Sequence, residues 1–76
     1  MLVTLTFAPV DGPTETVTAD IPPARYAEMR DLIGTPDWTN SEAVAWIWCR
    51  TKPSKPMRER LFRLARITAI EPASQP

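Results

Sequence analysis

The 76-residue sequence predicts an α+β fold: one small domain in the order β-β-α-α-α-β, with a three-stranded antiparallel sheet packed against helices. Three observations predict it. Apolar and polar residues alternate over 2–8 and again over 15–21. Apolar residues then recur at helical spacing behind Pro22-Pro23. Farther on, a capping pattern at Thr39-Asn40-Ser41-Glu42 and an apolar stripe from Met57 to Ala65 suit two more helices.

In the first segment Val3, Leu5 and Phe7 point one way while Thr4 and Thr6 point the other, the pattern of a half-buried strand. Asp11-Gly12-Pro13 supplies turn chemistry. In residues 15–21, Val17, Ala19 and Ile21 face inward, so the two segments form a β-hairpin. Pro22-Pro23 suits a first helical turn, where the N–H that proline lacks would be unpaired anyway. Tyr26, Met29, Leu32 and Ile33 make the apolar stripe of a helix over 23–33. Gly34 fits the residue after its end, and Pro36 stops it.

The second helix is predicted over 40–51, with Thr39 and Glu42 exchanging capping bonds and Trp38 stapling its entry. The run Ala43-Val44-Ala45-Trp46-Ile47-Trp48-Cys49 also fits a buried strand, and the cap favours the helix. Thr51–Pro56 is a loop, because each proline pushes its predecessor out of helical geometry. Met57, Leu61, Leu64 and Ala65 then line one side of a short basic helix over about 56–64, opposite Arg60, Arg63 and Arg66. Ile67–Ile70 reads as the third strand, placed beside the first because the second is already that strand's hairpin partner. The domain therefore covers 1–72, and 73–76 is a polar tail.

Composition narrows the function. A chain this short buries only about 60% of the surface that it exposes when unfolded. The single cysteine, Cys49, excludes an internal disulfide framework. Small extracellular domains lean on such staples, and the first residues form no signal peptide, so a cytoplasmic location is expected by elimination. No apolar run approaches the roughly 18 residues of a membrane span. Net charge is zero but unevenly spread. Residues 1–49 hold seven acidic against two basic side chains, a net −5. Residues 50–66 hold seven basic against one acidic, a net +6.

Catalytic chemistry has little to work with. There is no histidine, which removes the common triads and most zinc sites. The two glycines, Gly12 and Gly34, cannot build a phosphate-cradling loop. Asp31, Asp37 and Glu42 are too scattered for a calcium loop. Cys49 reads as a small buried hydrophobe. No enzyme activity, cofactor or metal is expected.

Two sets of residues remain as candidates. Trp46 lies nearly opposite Val44, Ile47 and Trp48 on the predicted helix, so either that helix is buried on two sides or Trp46 is exposed. Exposed tryptophan beside Arg50 would serve protein binding, since tryptophan and arginine dominate interface hot spots. Trp48 and Trp38 are assigned to the core. Lys52, Lys55, Arg58, Arg60, Arg63 and Arg66 would meet a phosphate backbone or an acidic partner.

In size and composition the chain resembles many accessory proteins of phages and mobile elements, of which anti-CRISPR proteins are one group. That likeness implies an inhibitor that occupies a surface of a host protein or nucleoprotein complex. The alternatives are a nucleic-acid-binding accessory domain using 50–66, and a structural or assembly subunit that forms homo-oligomers. Membrane binding is not expected, because the apolar stripe of the basic helix is needed for the core.

Overall fold

In a computed structural model that describes residues 1–73, the chain forms a five-stranded antiparallel sheet and two helices. The strands are β1 (Leu2–Phe7), β2 (Glu15–Asp20), β3 (Val44–Arg50), β4 (Arg58–Arg63) and β5 (Ile67–Pro72). The helices are α1 (Pro23–Leu32) and the one-turn α2 (Pro36–Thr39), and a 3₁₀ turn at Leu64–Arg66 joins β4 to β5. The strand order is β4-β3-β2-β1-β5.

The hairpin follows from its alternation. Val3, Leu5, Phe7, Val17 and Ala19 are buried, and Leu5 sits directly opposite Val17. Gly12 takes φ +114° in the connecting loop, a conformation that strains other residues. α1 starts at Pro23 and drives Met29 into the core, with Tyr26 and Ile33 packed at the margin. Gly34, at φ +90°, ends it and turns the chain. α2 is capped by Thr35, whose hydroxyl accepts the Trp38 amide. Trp38 is buried, and its indole N–H donates to the Ile67 carbonyl at 2.8 Å.

Topology forces the sheet to curl. β4 and β5 are its two edges, yet only Leu64–Arg66 separate them in sequence. Four strand spacings in a flat sheet come to about 19 Å. The four residue steps from Arg63 to Ile67 reach at most about 14 Å. The edges must therefore approach, and side chains close the seam. Phe62 of β4 packs edge-to-face on Phe7 of β1, ring centroids 5.0 Å apart. The Ala8 amide donates to the Arg66 carbonyl at 2.9 Å. Inside the curl lie Val3, Leu5, Val17, Ala19, Ile47, Cys49, Phe62 and Ile67, with Met29 and Trp38 brought in by the helices.

This architecture corrects the expected fold. The sheet has five strands rather than three, and the order β-β-α-α-α-β does not occur. The segment 40–51 holds the strand β3 (Val44–Arg50) rather than a helix. Thr39 ends α2 instead of capping a helix behind it, and Pro36, which follows α1 as expected, also opens α2. In place of the basic helix over 56–64 stand the end of a loop, β4 (Arg58–Arg63) and the first residue of the 3₁₀ turn. The physical reason is that Ala45, Ile47 and Cys49 pair with Phe62, Arg60 and Arg58 across a hairpin, which buries apolar residues of both segments in one core. β5 does lie beside β1. Of the tail expected over 73–76, Ala73 still donates to the Leu2 carbonyl, and 74–76 lie outside the described residues.

Candidate functional site

β3 is apolar on both faces. Period-2 geometry sends Ala45, Ile47 and Cys49 into the curl and Val44, Trp46, Trp48 and Arg50 to the outside. Trp46 is 63% exposed, Val44 57% and Trp48 53%, and Leu61, directly opposite Trp46 on β4, is 51% exposed. Together they form one apolar stripe on the outer face of the β3–β4 hairpin. Trp46 is exposed as one of the two sequence alternatives had it. Trp48 and Leu61, assigned to the core, are exposed as well, because a strand places them on the same side as Trp46.

The backbone beside this stripe is partly open. The Leu64 amide donates to the Ala43 carbonyl, and alternation along the pair then turns Ala45, Ile47 and Cys49 towards β4. Val44, Trp46, Trp48 and Arg50 face β2, which pairs only with Trp48, Cys49 and Arg50. The next partner would be Pro22 opposite Trp46. Proline has no N–H, and the Pro22 carbonyl accepts the Tyr26 amide at 3.0 Å to start α1. The ladder therefore stops short of Trp46, next to a groove of about 360 Å³ walled by Pro22, Met29, Ala45, Ile47 and Leu64.

The structure divides the basic candidates into groups rather than arranging them along one helix. Arg50, Lys55, Arg58 and Arg60 surround a cavity of about 490 Å³ at the tip of the hairpin, with Cys49 and Glu59 in its wall. Arg63 and Arg66 line a separate hollow with Thr39, Asn40 and Ser41. Lys52 lies in the exposed stretch 51–56 and lines neither. Among the described residues no cation from Arg50 to Arg66 forms a salt bridge; those present join the N-terminus to Asp20, Arg25 to Glu28 and Arg30 to Asp31. The Arg60 guanidinium is held over the Phe7 and Phe62 rings at 5.4 and 5.3 Å. The Nε of Arg50 is sealed from solvent and has no hydrogen-bond acceptor.

Cys49 is buried, and desolvation raises its thiol pKa, with Arg60 pulling partly the other way. It is a protonated thiol at neutral pH, unlike the thiolate that nucleophilic chemistry uses. No group of three or more cysteine, aspartate or glutamate side chains could hold a metal among the described residues. No helix among them is long and apolar enough to cross a membrane. Val44, Trp48 and Leu61 are the candidate residues that sequence reasoning missed. For Val44 and Trp48 the signal was present as positions alternating with Ala45, Ile47 and Cys49 in a run rich in aromatic and β-branched residues, whereas Leu61 had none. Comparison with protein-family models, with curated proteins and with solved structures gives no match.

Proposed function

We propose that the chain is a non-enzymatic protein-interaction module of the cytoplasm that docks through the outer face of its β3–β4 hairpin. The observation that carries this is the contiguous stripe Val44, Trp46, Trp48 and Leu61, four large apolar side chains left in solvent by a domain short of core. Tryptophan supplies a large contact area for few frozen torsions. Arg50 follows Trp46 and Trp48 in alternation along β3, so an arginine adjoins the aromatic anchors. Blocking a host protein or nucleoprotein complex by covering it is the form of action that size and composition suggest.

A second reading, nucleic-acid binding, is favoured by the cations of 50–66 that lack carboxylate partners among the described residues. One affinity capture separates the two. Wild type, Trp46→Ala and Arg60→Glu/Arg63→Glu are compared, with and without nuclease. The docking reading expects a stoichiometric protein that survives nuclease and is lost with Trp46. Recovery that needs nucleic acid and is lost with the arginines replaces it by the second reading. A concentration-dependent mass that Trp46→Ala abolishes assigns the stripe to self-association.

A further inference from the structure

The cavity at the hairpin tip meets the outer apolar face at Arg50 and rests on different observations. We propose that it binds a phosphate group. Four cations, Arg50, Lys55, Arg58 and Arg60, line it against one carboxylate, Glu59, a net +3 that suits a dianion better than a single carboxylate. Those cations have no salt-bridge partners among the described residues, so an incoming anion displaces no existing ion pair. Arg60 is already fixed by the Phe7 and Phe62 rings, which lowers the entropy lost on binding. The volume of about 490 Å³ admits a phosphate together with part of the molecule that bears it.

Arg50 is the specific element. Its Nε is a buried donor without an acceptor, an arrangement that costs stability. A phosphate bound against Arg50 would accept from Nε and one terminal nitrogen, the parallel two-bond geometry that arginine forms and lysine cannot. The buried Cys49 thiol stays neutral and adds no competing negative charge to the wall.

The test is an NMR titration of the arginine Nε–Hε resonances with inorganic phosphate at constant ionic strength, against chloride. The expected result is a saturable shift at Arg50. Arg50→Lys, which keeps the charge, weakens binding about tenfold or more. Glu59→Gln tightens it, and Arg66→Lys, outside the cavity, leaves it unchanged. Backbone spectra check that each variant is folded, and Lys55→Ala gives an independent loss on the loop side. A linear, chloride-like response, or equal effects of Arg50→Lys and Arg66→Lys, overturns the proposal. Short oligothymidylates with and without a 5′-phosphate then identify the source. Tighter binding of the 5′-phosphorylated strand assigns the site to terminal phosphate monoesters, and equal binding to backbone phosphates assigns it to diesters.

Discussion

Three tryptophans within eleven positions of sequence have different surroundings. Trp38 is buried and its indole satisfies the Ile67 carbonyl. Trp38→Phe removes that donor and strands a buried acceptor, so urea denaturation should read a loss of about 1–3 kcal/mol. Trp46→Ala, at a mostly exposed position, gives up a cross-strand contact with Leu61 and should cost under about 1 kcal/mol. The reverse ranking would mean that the outer stripe is packed in solution. Cys49 adds a pH dependence. Its pKa is raised above 9.0 in the folded chain, so folding favours the neutral thiol. That contribution is complete below the thiol's unfolded pKa and is lost as pH rises through the raised folded value. Stability should fall more steeply in alkaline solution for wild type than for Cys49→Ala. Identical alkaline slopes in paired denaturation curves would contradict the shift.

At the scale of elements, β3 makes the sharpest prediction. Proline at position 22 ends the β2–β3 ladder, so the Trp46 amide faces a groove while Ala45 and Ile47 bond to β4. Hydrogen exchange should find Ala45 and Ile47 protected and Trp46 fast, a contrast within three consecutive residues. A protected Trp46 amide would show that the ladder continues past Pro22. The same strand shows why sequence reasoning lost two elements. Alternation betrays a strand only when one face is polar, as in Val3-Thr4-Leu5-Thr6-Phe7. Val44–Cys49 is apolar on both faces, so its period vanishes, and the Thr39–Glu42 capping pattern supplied a false start. In β4, Arg58 and Arg60 occupy inward register at the hairpin tip, beyond the packed core, and only Phe62 is buried. One buried position cannot set a period. The arginines three residues apart at 60, 63 and 66 then imitate a helix face. The candidate residues Trp46 and Arg50 were legible by type. Their continuity with Val44, Trp48 and Leu61 required the strand.

Over the whole molecule, the decisive fact is the short path from β4 to β5. It was legible as a count of residues but not as a constraint, because its consequence depends on five strands being present. Once they are, the sheet has to curl, and the seam between β4 and β1 closes through Phe7 and Phe62, with Arg60 above both rings. The charge asymmetry of the sequence acquires a place by the same route. The hairpin that supplies Phe62 also carries Arg50, Lys55, Arg58 and Arg60 to its tip, so closure and the basic cavity depend on a common element. A double-mutant cycle tests the closure. Phe7→Leu and Phe62→Leu keep apolar volume and remove the edge-to-face geometry, so each should destabilise the fold modestly. If the rings meet in solution, the double variant should lose less than the sum of the two, with a coupling of about 0.5–1.5 kcal/mol. Additive losses would mean that the seam stands open. Arg60 would then lack its aromatic support, and the phosphate titration should show Arg60→Lys no weaker than wild type. A coupled pair makes the opposite demand, because lysine cannot lie flat over two rings as a guanidinium does. With the seam closed, Arg60→Lys should weaken phosphate binding although the charge is conserved.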